Sequence, residues 1–209
     1  MRPELSLCLV TDPWQCAERG VPTTVREAVR GGVTIVQLRD KQASARALFD
    51  MAVRLRRELE GTGVPLIVND RVDVALAAGA HGVHLGQSDL EVSEARRLAG
   101  PDFWIGLSAS TASDIARANE LPPGTVDYLG IGPVFATSTK LDAREPLGLE
   151  QLARLRDGTD LSCLAIGGIT SENAAAVWAT GVDGLAVASA ICAADDPRAA
   201  AAAFVGRRS

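Results

Sequence analysis

The chain has 209 residues, of which 47% are hydrophobic and 22% are charged, and its formal net charge is −5. Enough apolar side chains are present for a sizeable core, and the net charge is too small for intrinsic disorder. The negative net charge argues against a basic surface of the kind that binds nucleic acid or anionic lipid. We therefore expect a globular protein without a nucleic-acid or membrane partner.

The four cysteines are scattered and form neither C-x-x-C pairs nor clusters with histidine, which is typical of buried thiols in a reducing compartment. No long apolar segment of a secretion signal follows Met1, and no apolar run approaches the ~20 residues that a membrane span requires. We expect a cytoplasmic protein. A homo-oligomer is possible, because the sequence does not indicate the oligomeric state.

Short apolar runs alternate with longer amphipathic segments, and the alternation repeats roughly every 26 residues, which is typical of βα units and a parallel sheet. The clearest helical segment covers residues 46–60, where Leu48, Leu55 and Leu59 share one stripe. We predict eight strands, at residues 5–10, 34–38, 65–68, 82–85, 104–107, 128–131, 163–166 and 184–187.

No linker rich in Ser, Gly or Pro divides the chain, so we place residues 1–209 in a single domain. Junctions at which a helix ends on glycine recur before several strands, for example at Gly31, Gly79 and Gly181. Eight uninterrupted units predict an α/β fold of the closed (β/α)8 TIM-barrel type. A doubly wound open sheet is the alternative.

In such a barrel the reactive groups lie at the carboxyl ends of the strands. The second strand ends in Gln37, Arg39 and Lys41, which project to one side because side chains alternate along a strand. An amide and two cations at the barrel mouth suit an anionic ligand. The alternative is a solvated strand end with a surface ion pair to Asp40.

The third and fourth strands deliver Asp70 and Asp89 to neighbouring strand ends. Two carboxylates without a Cys or His cluster favour a hard cation such as Mg²⁺, which joins carboxylates to substrate phosphates. Each Asp could instead cap the helix that follows it. The pair at this place favours the metal.

Two further strand ends carry hydroxyls. Ser108 follows the fifth strand, and a loop with Thr137, Ser138, Thr139 and Lys140 follows the sixth. Hydroxyls and an ammonium group suit a phosphate or diphosphate, although a mobile surface loop without ligand is the alternative.

Strands seven and eight end in small residues. Gly167 and Gly168 precede a helix predicted from Ser171, and Ala188 and Ser189 follow strand eight. Loops at these two places form a phosphate site in many barrels, so we predict a monophosphate cup. Neither histidine joins a Ser/His/Asp arrangement, and His84 alternates with apolar neighbours as a core histidine does.

Six motifs occur in order and together resemble the thiamine phosphate synthase family, over nearly the whole chain to Ile191. Any one of them alone would be unspecific. The motifs are residues 37–41 (QLRDK), 68–70 (VND), 82–89 (GVHLGQSD), 130–133 (GIGP), 137–140 (TSTK) and 166–169 (IGGI).

The resemblance implies a transferase that joins the hydroxymethylpyrimidine of a diphosphate to the nitrogen of thiazole phosphate, by a dissociative, Mg²⁺-assisted substitution. By this resemblance, the catalytic residues would be Arg39, Lys41, Ser108 and Lys140. Asp70 and Asp89 would bind Mg²⁺. The substrate-binding residues would be Gln37 for the pyrimidine, Arg39, Lys41, Asn69, Ser108 and Lys140 for the diphosphate, and Thr137, Thr139, Gly168, Ala188 and Ser189 for the thiazole phosphate.

Two alternatives to this activity stay open. A thiazole tautomerase of similar fold relies on a histidine near the Ser108 region, where this chain has Ser110 instead. A barrel that only binds a thiamine precursor would need no turnover, although the metal and diphosphate residues are unnecessary for such a protein.

Overall fold

The computed structural model describes residues 4–16, 18–137 and 145–205. Its eight strands form a closed barrel in which every strand pairs in parallel with the next and β8 pairs with β1. This topology confirms the predicted TIM barrel and excludes the open sheet. The strands are β1 Leu7–Val10, β2 Ile35–Leu38, β3 Leu66–Asn69, β4 Gly82–Leu85, β5 Trp104–Ala109, β6 Tyr128–Ile131, β7 Ser162–Ile166 and β8 Gly184–Val187.

Helices follow the strands and surround the barrel. None of those in the described part of the chain has the length and apolar character of a membrane span. The helices are α1 Pro13–Cys16, α2 Val21–Arg30, α3 Ala45–Glu58, α4 Val72–Ala77, α5 Val92–Ala99, α6 Ala112–Glu120, α7 Gly148–Asp157, α8 Ala174–Trp178, α9 Ser189–Cys192 and α10 Pro197–Val205.

Two strands run further toward the barrel mouth than the sequence predicts. In β3, Asn69 still pairs with His84, and in β5 the pairing continues through Ser108 to Ala109. Asn69 and Ser108 therefore lie on hydrogen-bonded strands and not in loops. A strand holds a functional side chain more rigidly than a loop does.

The apolar side chains form two layers. The outward faces of the strands pack against the helices in one large core, which includes Leu38, Val68 and Leu85. A smaller cluster fills the barrel interior and includes Ile35, Ile67 and Tyr128. Inward-pointing side chains of a TIM barrel form such layers, so the interior is a packed core and not a pore.

One partly buried ion pair ties α5 to the amino-terminal end of the barrel. Arg96 Nη2 lies 2.8 Å from Asp127 Oδ2, and Arg96 Nη1 donates hydrogen bonds to the carbonyls of Gly100 and Phe103. The same Asp127 oxygen accepts the backbone N–H of Ile105, at 2.8 Å. Arg96 thus connects the end of α5 with the starts of β5 and β6.

Replacing this arginine is expected to destabilise the protein without touching the barrel mouth. Arg96→Met should lower the free energy of unfolding by about 2–4 kcal/mol, because the Asp127 carboxylate loses its charged partner and two carbonyls lose a hydrogen-bond donor. Urea denaturation measures the change. Arg97→Met on the same helix is the control, since Arg97 is 68% exposed and pairs with Glu94 one turn earlier. Equal stabilities of the two variants would contradict the role of Arg96.

Candidate active site

A cavity of about 410 Å³ opens at the carboxyl ends of the strands, and residues from all eight strand ends line it. A larger open depression, of about 1050 Å³, lies at the opposite end of the barrel around Arg56 and Trp104. We place the site in the smaller cavity, because strand carboxyl ends carry the reactive groups of TIM barrels.

The structure brings the predicted site residues that it describes to this one cavity. Thr139 and Lys140 lie outside the described residues, so the structure says nothing of their place. The predicted residues that line the cavity are Gln37, Arg39, Lys41, Asn69, Asp70, Asp89, Ser108, Thr137, Gly168, Ala188 and Ser189.

The end of β2 alternates as predicted. Gln37, Arg39 and Lys41 line the cavity, whereas Leu38 is buried in the outer core. Asp40 does not compete for the cations, since its Oδ1 accepts the backbone N–H groups of the turn that follows. Lys41 Nζ instead lies 3.8 Å from Asp70 Oδ2.

Thr11, which the sequence analysis missed, fixes this strand end. It follows β1, is 1% exposed, and its Oγ1 accepts the Arg39 backbone N–H at 3.0 Å. The Thr11 N–H in turn donates to the Gln37 carbonyl at 2.9 Å. A Thr directly after a buried strand is too common a pattern to have indicated this contact.

Asp70 and Asp89 meet at the neighbouring strand ends. Asp70 adopts a left-handed backbone conformation with φ 62°, which few residues other than Gly, Asn and Asp adopt, and its N–H donates to the His84 carbonyl at 2.8 Å. Asp89 Oδ2 accepts the Gly86 N–H at 2.7 Å. Neither Asp caps a helix, because the caps of α4 and α5 are Arg71 and Glu91.

The two carboxylates affect each other. Burial and the nearby Asp89 carboxylate raise the pKa of Asp70 from 3.8 to about 6, while Lys41 and Arg39 oppose the rise. The cations therefore compensate only part of the repulsion. Two carboxylates in this state are a suitable ligand pair for an added cation.

The floor of the cavity is a polar contact between three strands. His84 Nε2 lies 3.0 Å from Ser108 Oγ, and His84 Nδ1 lies 3.2 Å from the Tyr128 hydroxyl. Tyr128 was not among the predicted site residues. The signal that could have indicated it is Gly106, whose missing side chain leaves space for the Tyr128 ring inside the barrel.

The loops after β6 and β7 run side by side. The N–H groups of Val134 and Phe135 donate to the carbonyls of Ile166 and Gly167, at 2.9 and 3.0 Å. This pairing carries the chain toward Thr137 along the edge of the predicted monophosphate cup. Gly167 and Gly168 have φ 106° and 63°, so a side chain at either place would strain the backbone.

The predicted start of the next helix is wrong by three residues. The helix α8 begins at Ala174 and not at Ser171. The Asn173 side chain explains the delay, because its Oδ1 accepts the Thr170 N–H and its Nδ2 donates to the Gly168 carbonyl. These bonds close a turn that fixes the Gly168 loop in front of the helix.

Ser110 also lines the cavity. Its backbone N–H donates to Asp114 Oδ2 at 3.0 Å, and Asp114 completes the capping box of α6 with Thr111. Ser110 therefore belongs to the start of a well-capped helix. A serine hydroxyl at neutral pH is a poorer proton carrier than a histidine side chain.

Comparison with known proteins places the chain in a family. The family model described as "Thiamine monophosphate synthase" matches residues 7–191. A thiamine-phosphate synthase of Psychrobacter sp. (strain PRwf-1) is 48% identical, over 98% of this chain and 95% of the relative. That of Albidiferax ferrireducens is 52% identical, over 94% of this chain and 89% of the relative.

Solved structures agree with the sequence comparison. Thiamine phosphate pyrophosphorylase from Pyrococcus furiosus superposes with a TM-score of 0.87 at 36% identity, covering 98% of this chain and 95% of that one. A 3-hexulose-6-phosphate synthase, at 16% identity and a TM-score of 0.69, shares the fold alone. On the extent and identity of these matches, the chain belongs to the thiamine monophosphate synthase family.

Proposed function

We propose that the cavity joins two substrates, the diphosphate of hydroxymethylpyrimidine and thiazole phosphate, to form thiamine phosphate and free diphosphate. The main observation in support of this activity is that one cavity has two different sides. One side is rich in cations and carboxylates, and the other is formed by a pair of glycine-rich loops. Two anionic substrates require two such binding regions. Relatives at about half identity that are named thiamine-phosphate synthase support the same activity.

Arg39, Lys41, Asn69 and Ser108 would hold the diphosphate, together with Lys140 from outside the described residues. Arg39 and Lys41 line the cavity beside the aspartates. Because the strand ends fix these donors beforehand, they need little reorganisation when negative charge develops on the leaving group. Gln37 would contact the pyrimidine.

Mg²⁺ fits the carboxylate pair. Asp70 and Asp89 would hold it, and among the described residues no third His, Cys, Asp or Glu joins them in a metal-binding group. Mg²⁺ usually takes one or two carboxylates, and substrate phosphates and water complete its coordination. When bound, it would neutralise charge on the diphosphate.

The thiazole phosphate would occupy the other side of the cavity. Thr137 and Thr139 would border it, and its phosphate would lie against Gly168, Ala188 and Ser189. In the reaction the bond from the methylene carbon to the diphosphate oxygen breaks, and the thiazole nitrogen supplies the electron pair of the new carbon–nitrogen bond. This nitrogen has no proton to lose, so the protein needs no general base and acts by positioning and charge.

We further infer a single domain over residues 1–209 and a cytoplasmic location. All four cysteines are buried free thiols, which supports a reducing compartment.

The first test is turnover itself. Purified protein mixed with both substrates and Mg²⁺ should release thiamine phosphate and diphosphate in equal amounts. Isomerisation of a thiazole phosphate precursor would identify a tautomerase instead. Tight binding of a thiamine precursor without any product would identify a binding protein.

Removal of a cation should slow the reaction strongly. Arg39→Gln is expected to lower turnover by roughly 10²–10³, as is Lys140→Gln, because a fixed contact to the leaving group disappears. Steady-state rates measure the effect. Arg46→Gln is the matched control, since Arg46 is 84% exposed on α3 and pairs with Asp50. Rates of the Arg39 variant within threefold of the parent would contradict the assignment.

The repulsion between Asp70 and Asp89 should also affect the pH dependence of folding stability. Since folding raises the pKa of Asp70 from 3.8 to about 6, ionised Asp70 disfavours the folded state. That cost is absent below pH 3.8, grows as the pH rises, and is complete above about pH 6. Asp70→Asn tolerates the left-handed backbone and removes the charge, so it should raise stability at pH 8 by about 1–2 kcal/mol.

Thermal melting in EDTA from pH 4 to pH 8 measures this difference. The gain of Asp70→Asn should shrink as the pH falls from 6 to 4, and Mg²⁺ should stabilise the parent more than the variant. A difference that does not change with pH would contradict the proposed repulsion.

A further inference from the structure

A histidine in the cavity floor contacts the hydroxyl of Ser108, which the proposed function assigns to the diphosphate. His84 Nε2 lies 3.0 Å from Ser108 Oγ, and His84 Nδ1 lies 3.2 Å from the Tyr128 hydroxyl. His84 is on β4, whereas Ser108 is on β5 and Tyr128 is on β6. The imidazole ring thus bridges two hydroxyl groups that belong to two other strands.

Strand pairing and two glycines fix the imidazole ring. His84 pairs with Gly106 on β5, and Gly106 pairs in turn with Tyr128 on β6. A Cβ atom on Gly106 would overlap Tyr128 Cζ and lie 2.5 Å from His84 Nδ1, so the two rings meet in the space that the missing side chain leaves. A Cβ on Gly130 would lie 2.9 Å from His84 Cε1. The ring therefore has little room to turn.

The backbone of Ser108 is fixed as well. Ser108 pairs with Gly130 inside the sheet, and the Gln87 side chain donates from Nε2 to the Ser108 carbonyl at 2.7 Å. The freedom that Ser108 retains is the rotation of its side chain and of its hydroxyl proton. Because His84 contacts the hydroxyl oxygen, it can set the direction in which Ser108 donates.

The protons of the three groups decide that direction. Tyr128 keeps its proton, because burial raises the pKa of its hydroxyl well above 10. Tyr128 is 1% exposed, and a buried hydroxyl proton needs an acceptor, for which His84 Nδ1 is within reach. Neutral imidazole has one proton, so a ring that accepts at Nδ1 carries that proton on Nε2. His84 Nε2–H then donates to Ser108 Oγ.

A serine that accepts from His84 can donate its own proton to another group. Ser108 lines the cavity together with Arg39 and Lys41, so its proton is available to an anion that these cations attract. In the other tautomer, His84 Nε2 would accept from Ser108, and the serine would present only oxygen lone pairs to the cavity. Lone pairs repel an anion. The Nε2–H form of His84 is thus the form that makes Ser108 a donor.

We propose that His84 is a positioning residue, held in its Nε2–H form by Tyr128, that makes the Ser108 hydroxyl a fixed donor to the diphosphate. The inference rests on the proposed function for the identity of this anion. A donor that is fixed before the ligand arrives needs little reorganisation when negative charge develops on the leaving group. His84 acts through Ser108 and transfers no proton itself.

Nitrogen NMR of the free protein tests the tautomer. The chain has two histidines, so ¹⁵N-histidine labelling gives two sets of ring signals. His81 Nδ1 accepts the Leu66 N–H at 3.0 Å, and this ring is therefore an internal reference for the Nε2–H form. At pH 8 His84 should show the same pattern as His81, and a His81→Gln variant assigns the signals. A His84 ring protonated on Nδ1 would overturn the inference.

Equilibrium binding of inorganic diphosphate with Mg²⁺ tests the action on Ser108 without turnover. Ser108→Ala should weaken binding about tenfold, because one hydroxyl donor to an anion disappears. His84→Met should weaken it by a similar factor. The double variant should bind within about threefold of Ser108→Ala, since His84 then has no hydroxyl left to direct. His84→Gln should regain most of the affinity, because its amide can place an N–H donor near the Nε2 position.

A merely structural role for His84 would add its loss to that of Ser108→Ala. A double variant more than about threefold weaker than Ser108→Ala would therefore overturn the inference, as would unchanged binding in either single variant. Ile67→Val is the control, because Ile67 belongs to the same interior cluster as Tyr128, and it should bind diphosphate as the parent does. A loss in this control equal to that of His84→Met would also overturn the inference. If the expected results hold in a protein that forms no thiamine phosphate, only the proposed function is refuted.

Discussion

The incomplete charge balance at the barrel mouth is the constraint on which the site depends. Asp70 and Asp89 approach each other, and Lys41 and Arg39 offset only part of their repulsion. Such an arrangement costs stability in the free protein, and it can persist because the barrel below it is closed and tightly packed. A cation and a diphosphate would complete the balance. The site therefore suits a positively charged ligand and a negatively charged ligand bound together.

The barrel interior limits how the site can be arranged. Apolar residues such as Ile35 and Ile67 close the interior, and the polar contacts of His84 with Tyr128 and Ser108 lie above them as a floor. Gly106 and Gly130 make room for that floor by omitting their own side chains. The reaction would thus take place on a surface whose donors and acceptors are set by packing.

The fold and much of the site follow from local sequence patterns. Period-two alternation placed Gln37, Arg39 and Lys41 on one side of β2, and strand ends placed Asp70 and Asp89 at one mouth. Tyr128 could not be found this way, because its contact with His84 joins two strands that are distant in sequence. The start of α8 was missed because the Asn173 side chain bonds to the preceding loop, which helical periodicity does not reveal.

The measurement closest to the central claim is the binding of inorganic diphosphate with and without Mg²⁺, by calorimetry at constant ionic strength. If Asp70 and Asp89 hold a cation that the diphosphate shares, Mg²⁺ should tighten binding at least tenfold, or about 1.4 kcal/mol. Asp89→Asn should abolish that gain while leaving the weaker metal-free binding in place. Equal affinity of the parent with and without Mg²⁺ would contradict the account.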